Sequence, residues 1–185
     1  ADHVAFVHEL KGPNGYAYVY RKTVRLEKGK PLLVLEHSLR NTGRRTIETA
    51  QYDHNFFVMD GQPTGPDASV QFSFPLRAAA DLKGMAEIRD TRLQYLQELQ
   101  SGQSVFTELE GYGADARDYD IRMEHRKAGI GVHITGNRPL SKLIFWPIRT
   151  TFCPEPYTEM RVEPGKEATW HIAYEFYTLA GSTAR

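Results

Sequence analysis

The stretch "GYAYVYRKTVRL", residues 15–26, decides the fold class, because aromatic and β-branched residues alternate along it. Its tyrosines at positions 16, 18 and 20 fall on one face of an extended chain. About ten such short segments, joined by turns, favour an antiparallel β-sandwich or barrel. The sequence therefore predicts an all-β fold in one domain, residues 1–185, with a frayed tail at 180–185. Other segments with this period are "PLLVLEHSL" (31–39), "ASVQFSFPL" (68–76) and "ATWHIAYEFYTL" (168–179).

The segment 81–103, "DLKGMAEIRDTRLQYLQELQSGQ", is the least clear part of the chain. Leu93, Leu96 and Leu99 are three residues apart, which indicates a short helix. An irregular extended stretch is the alternative, because the flanks of the leucine pattern carry no clear helix signals.

The composition excludes several classes of partner. The chain has 23 basic and 23 acidic residues, with no basic stripe, so neither nucleic acid nor an anionic membrane is expected to bind. No run approaches the roughly 20 apolar residues of a membrane helix. Cys153 is the only cysteine, so the chain forms no internal disulfide. The N-terminus shows no signal peptide, and the compartment stays open between cytoplasm and periplasm.

The segment "QYDHNFFVMDGQPTGPD", residues 51–67, concentrates polar groups within a predicted strand over 44–59. A regular strand points His54 to one face, and Asp53 and Asn55 to the other. Two interpretations follow. Either His54 bonds internally to a backbone carbonyl, or Gln51, Asp53, His54 and Asn55 line a cleft for a hydroxyl-rich ligand.

Two later segments carry further candidate residues. In "FCPEPYTEM" (152–160), prolines on both sides of Glu155 stiffen the chain, which suits either a positioned general base or a solvated loop acid. In "FWPIRTT" (145–151), Trp146 can stack on a sugar ring and Arg149 can bind hydroxyls or an anion. The alternatives are a core tryptophan and a surface cation.

No metal site or cofactor is expected. No His-x-x-x-His spacing with a nearby acid occurs among the other histidines at positions 8, 37, 125, 133 and 171, and a structural zinc is not expected with a single cysteine. A Cys-His nucleophile is disfavoured, because "CPEP" offers Cys153 no helix N-terminus and no adjacent cation. The sequence contains neither a phosphate-binding glycine loop nor a G-x-S-x-G elbow.

Taken together, "TAQYDHNFF", the "CPEP" glutamate and "VEPGKEATWHIAYEF" resemble the aldose 1-epimerase (galactose mutarotase) family, over about residues 16–179. The resemblance implies a galactose mutarotase-like β-supersandwich and a monosaccharide or oligosaccharide ligand. It also implies that Glu155 is the catalytic base and His54 the acid of a ring-opening isomerase. Trp146, Arg149 or Tyr157 is then expected on the wall of the cleft.

The chain departs from the family pattern in two ways. Family members have further N-terminal strands and a second histidine in a His-Gly segment, whereas His3 and His8 are not followed by glycine. The flanks of His54 also differ from the family's Asn-His pattern. The resemblance thus implies a divergent or N-terminally shortened member, whose exposed sheet edges favour a homo-oligomer. A non-catalytic carbohydrate-binding domain of a larger polysaccharide-processing protein and a purely structural sandwich are the alternatives.

Overall fold

A computed structural model describes residues 2–180 of the chain. Within this range there are fourteen β-strands and two 3-10 helices of three residues each, Pro13–Gly15 and Ala116–Asp118. No helix of the described residues is long and apolar enough to cross a membrane. The predicted all-β class is confirmed, and the expected fraying at 180–185 concerns residues that lie, apart from Ala180, outside the described range.

The strands form two antiparallel sheets. The larger sheet has nine strands in the order β1-β2-β3-β14-β11-β10-β5-β8-β7, and the smaller has five in the order β4-β13-β12-β9-β6. The nine strands of the larger sheet are β1 (His3–Lys11), β2 (Ala17–Leu26), β3 (Leu32–Asn41), β5 (Ala68–Phe72), β7 (Ala86–Arg89), β8 (Arg92–Tyr95), β10 (Asp120–His125), β11 (Ile130–Gly136) and β14 (Glu167–Thr178). The five of the smaller sheet are β4 (Ile47–Tyr52), β6 (Arg77–Ala78), β9 (Thr107–Glu110), β12 (Lys142–Phe145) and β13 (Pro154–Val162).

The core lies between the sheets, because the inward faces of central strands carry the apolar residues. In β10, Ile121 and Met123 are fully buried, and in the smaller sheet Leu143 and Phe145 of β12 are buried in the same cluster. This burial of apolar side chains is the main driving force for closing a sandwich. The core thereby fixes β13, whose N-terminal end carries Glu155.

Strand β1 is a long unprotected edge. It pairs only with β2, and all nine of its residues are exposed, including Val4, Phe6 and Leu10. The sequence analysis missed this strand, although its apolar residues alternate. An apolar edge with free backbone groups is a template for pairing with another chain, so self-association through β1 stays a prediction.

The helix indicated at 93–99 is wrong, and the extended alternative is the correct one. Leu93 lies in β8, which pairs with β7 across a tight turn where Asp90 has a left-handed backbone (φ 55°). Leu93 and Tyr95 face the core at a period of two, while Leu96 is exposed. The three-residue leucine spacing therefore reflects one buried strand residue, one exposed residue and one buried loop residue.

Candidate functional site

The register between β4 and β13 brings His54 opposite Glu155. Strand β4 ends at Tyr52, which is paired with Tyr157, and the predicted continuation of the strand to residue 59 is wrong. An isolated bridge nevertheless joins Phe57 to Phe152 in the same register, through two backbone hydrogen bonds of 2.9 and 3.0 Å. Because directly opposed residues of an antiparallel pair point to the same face, His54 and Glu155 lie side by side.

His54 and Glu155 are in direct contact, together with the chain's single thiol. The His54 Nε2 atom lies 3.3 Å from Glu155 Oε1, and His54 Nδ1 lies 2.9 Å from Cys153 Sγ. The thiol is itself 3.6 Å from Glu155 Oε1. The imidazole is 34% exposed and the carboxyl group only 8%, so solvent reaches the pair from the His54 side.

The thiol of Cys153 stays protonated in this environment. Burial raises its pKa to about 12, and the neighbouring Glu155 carboxylate adds to the effect by disfavouring a second negative charge. Both effects disfavour a thiolate nucleophile at neutral pH. This agrees with the expectation from "CPEP", although the structure does bring a histidine to the thiol.

Aromatic rings surround the exposed imidazole. Phe56 stacks on His54 with ring centroids 4.1 Å apart and is itself 60% exposed, and Trp146 meets the imidazole edge-on at 5.8 Å. On another side, Tyr52 lies 6.1 Å from His54 and stacks on Tyr157 at 4.4 Å. Burial raises the pKa of Tyr157, and the charge of Glu155 contributes to the shift. The imidazole and the carboxyl group are therefore surrounded by four aromatic rings and open to solvent. These rings, here called the aromatic collar, belong to Tyr52, Phe56, Trp146 and Tyr157.

Asn55 faces the interior instead of the His54 side, as the strand alternation predicts. Its Nδ2 donates to the Pro154 carbonyl at 3.0 Å, and its Oδ1 accepts from the Tyr174 hydroxyl at 2.9 Å. The first bond ties the segment carrying His54 to the start of β13, and the second ties it to β14. In this structure Asn55 is therefore a buried residue that supports the segment carrying His54 from the interior.

Asp53 also points inward. One of its carboxylate oxygens, Oδ2, is buried and has no hydrogen-bond partner among the described residues. Burial raises the pKa of Asp53, while the charge of Lys22 and a hydrogen bond with Gln51 oppose the shift. Gln51 in turn accepts a hydrogen bond of 3.1 Å from the indole of Trp170. Neither residue shares a face with His54.

Two hollows lie near the pair, and the lining of neither includes His54 or Glu155. The first, here called the tyrosine hollow, has a volume of about 390 Å³ and is lined by Tyr18, Tyr20, Gln51, Tyr52 and Trp170 among others. The second, the Trp146 hollow, has a volume of about 450 Å³ and includes Trp146, Ser104, Arg149 and Thr150. His54 contacts one residue of each hollow, Tyr52 of the first and Trp146 of the second.

The predicted residues thus divide into groups. Those that meet are His54, Glu155, Trp146 and Tyr157. Arg149 shares the hollow of Trp146, where it forms an exposed ion pair of 2.9 Å with Glu98. The predicted site leaves out Cys153, Tyr52 and Phe56, although strand alternation already places Tyr52 and Phe56 on the face of His54. Cys153 could have been found, because it lies two residues before Glu155 on an extended segment and so on the same side.

Comparisons with protein-family profiles and with curated protein sequences give no match. Solved structures do match. A proposed aldose 1-epimerase from Escherichia coli K12 is 18% identical with a TM-score of 0.67, and the match covers 96% of this chain and 66% of that one. A proposed aldose 1-epimerase from Klebsiella pneumoniae is 12% identical with a TM-score of 0.74, covering 96% and 51%. A GalM/aldose epimerase homologue from C. elegans is 13% identical with a TM-score of 0.68, covering 96% and 66%.

These likenesses establish the fold. The chain is a galactose mutarotase-like antiparallel β-sandwich, as the sequence resemblance implies, and it spans between about half and two thirds of the length of these three structures. At such low sequence identity the shared architecture assigns no activity, because one fold carries many functions. The chemistry has to be argued from the side chains around His54.

Proposed function

We propose, with the galactose mutarotase-like fold as the premise, that this protein binds a sugar beside His54 and Glu155 and interconverts its anomers by acid–base ring opening. The observation that supports this most strongly is the contact of 3.3 Å between the His54 imidazole and the Glu155 carboxyl group. The pair lies at a solvent-facing point of the surface and is surrounded by aromatic rings.

The proposed reaction uses two proton transfers, one at each of the two oxygen atoms bonded to the anomeric carbon. Glu155 accepts the proton of the anomeric hydroxyl, and His54, as imidazolium, donates a proton to the ring oxygen. The bond between the anomeric carbon and the ring oxygen breaks, and the open-chain aldehyde forms. After rotation about the bond between C1 and C2, the reverse transfers close the other anomer and restore both side chains. Both sugar oxygens are bonded to the same carbon, so an adjacent acid and base suit them.

The surroundings of the pair suit a pyranose. The exposed faces of Phe56 and Trp146 offer an apolar surface for the C–H face of a sugar. Burial and the nearby charge of Glu155 raise the pKa of Tyr157, so its hydroxyl stays protonated as a donor for a sugar oxygen. At the rim, Arg149 can exchange Glu98 for a hydroxyl, carboxylate or phosphate of the ligand, since exposed ion pairs are weak.

A non-catalytic carbohydrate-binding domain is the second candidate function. It is favoured by the two hollows near the pair, because the lining of neither includes His54 or Glu155. In this alternative the sugar rests on the aromatic collar, and no proton moves. The two candidates share the ligand class and differ only in whether anomers exchange faster.

Proton NMR exchange spectroscopy separates the two candidates. Glucose, galactose and their phosphates are equilibrated with the protein, and the rate of anomer exchange is compared with that in buffer. We expect faster exchange for at least one sugar, and a loss of at least about 100-fold in His54→Ala and Glu155→Gln, the range typical of a missing general acid or base.

The matched controls are His171→Ala and Glu159→Gln, which alter an exposed histidine of β14 and an exposed glutamate of β13. Both should retain the wild-type rate. Sugar binding without faster exchange would replace the enzyme by the binding domain. If no sugar of the panel binds, both proposals are rejected.

A further inference from the structure

The thiol of Cys153 takes no part in the proposed ring opening, yet it lies against both of the reacting groups. It belongs to a cluster with His54 and Glu155 in which one ligand atom from each residue lies within 4.8 Å of the other two. An imidazole nitrogen, a sulfur and a carboxylate oxygen are the three donor types that bind Zn²⁺ in proteins.

The spacing of these atoms fits a single small cation. In a tetrahedral zinc site, with bonds of about 2.0 Å to nitrogen, 2.1 Å to oxygen and 2.3 Å to sulfur, neighbouring ligand atoms stand about 3.3–3.6 Å apart. Here Cys153 Sγ and Glu155 Oε1 are 3.6 Å apart, and His54 Nε2 and Glu155 Oε1 are 3.3 Å apart. The nitrogen that lies 2.9 Å from Cys153 Sγ is the other ring nitrogen, Nδ1, so the imidazole has to turn for one nitrogen to share an ion with both other ligands.

The chain around the cluster supports two of the three ligands rigidly. Cys153 immediately precedes β13, Glu155 is the second residue of that strand, and both are buried, with prolines at positions 154 and 156. Prolines restrict the backbone, so the sulfur and the carboxylate are held in place before any ion arrives. His54 is the solvent-facing ligand, since its imidazole is 34% exposed against 8% for the carboxyl group of Glu155.

We propose that His54, Cys153 and Glu155 form a binding site for Zn²⁺ or a similar borderline-soft divalent cation, with the fourth position open to solvent. The sulfur ligand disfavours Mg²⁺ and Ca²⁺, which prefer oxygen ligands. As the metal–sulfur bond forms, the thiol releases one proton to the solvent.

The metal site has a regulatory consequence that rests on the proposed function. A cation bound to His54 and Glu155 occupies the ring nitrogen that carries the donated proton and the carboxylate oxygen that accepts a proton. The metal-loaded protein is therefore inactive, and removal of the metal by a chelator restores proton transfer. The site itself does not depend on the sugar reaction, and binding is measured independently of it.

Titration of the whole chain with Co²⁺, followed by displacement with Zn²⁺, tests the site directly. Coordination of Co²⁺ by Cys153 gives a thiolate-to-metal charge-transfer absorption in the near ultraviolet, with an end point of one ion per chain. We expect Cys153→Ser to lose this band, and His54→Ala to weaken binding of both metals by at least about tenfold. His171→Ala, which changes an exposed histidine of β14, serves as the control and keeps the band.

His54→Ala protects the test against a folding artefact, because His54 is exposed while Cys153 is buried. Circular dichroism of each variant checks the fold. The proposal is overturned if the wild type binds no stoichiometric Co²⁺ or Zn²⁺, or if both variants bind as the wild type does. Metal binding without anomer exchange would leave this site intact and reject the proposed function, and exchange without metal binding would do the reverse.

Discussion

Replacing Asn55 by alanine tests how the chain holds His54 opposite Glu155. The Asn55 side chain donates to the Pro154 carbonyl at 3.0 Å and accepts from the Tyr174 hydroxyl at 2.9 Å. Its removal leaves a buried carbonyl and a buried hydroxyl unpaired, at about 1–3 kcal/mol each. We expect the free energy of unfolding to fall by about 2–4 kcal/mol, allowing for partial rearrangement around the gap.

Urea denaturation followed by tryptophan fluorescence measures this change in the free energy of unfolding. Asn137→Ala is the matched control, because the Asn137 side chain accepts a single exposed backbone hydrogen bond of 2.8 Å from His171. Its removal should cost no more than about 1 kcal/mol. Equal losses in the two variants would refute the view that Asn55 clamps the segment carrying His54. Anomer exchange should also fall in Asn55→Ala and not in Asn137→Ala.

Two further predictions concern the pH dependence of stability and the sheet edge. Burial, reinforced by the charge of Lys22, lowers the pKa of His37 from 6.5 to about 4, so the unfolded chain binds a proton that the fold excludes. The free energy of unfolding should therefore decrease as the pH falls from about 6.5 to about 4. In urea denaturation, His37→Gln should show a weaker dependence of this free energy on pH. The same dependence in both proteins would contradict the assignment to His37. At the free edge of β1, Phe6→Lys should reduce self-association of the protein, measured by light scattering. If the wild type stays monomeric at all concentrations, the prediction that β1 pairs with another chain is wrong.

The fold class was predictable because β-sandwiches leave a local record in the sequence. The alternation along 17–26 and 167–178 predicted strands, which the structure has there, and within 167–178 it also marks the buried side at Trp170, Ile172 and Tyr174. The three leucines of 93–99 misled because a spacing of three also arises by chance where a strand passes into a loop. Only a long run of helical periodicity would have distinguished the two.

The pairing of His54 with Glu155 left no such local record. It depends on the register between β4 and β13, whose residues are about a hundred positions apart in the sequence, and it entered the sequence analysis through family resemblance alone. The inward turn of Asp53 and Asn55, by contrast, followed from strand alternation. The contact of Cys153 with His54 is a consequence of the same register, and within "CPEP" only the spacing of two residues from Glu155 points to it.

The most direct test of the central claim is a double-mutant cycle on anomer exchange with His54→Ala, Glu155→Gln and the combined variant. If the two side chains act as one acid–base unit, each single change removes nearly all of the acceleration over buffer, and the combined variant is no slower than the poorer single variant. Losses that multiply would show that the two residues act independently. Retention of the wild-type rate in either single variant would contradict the account outright.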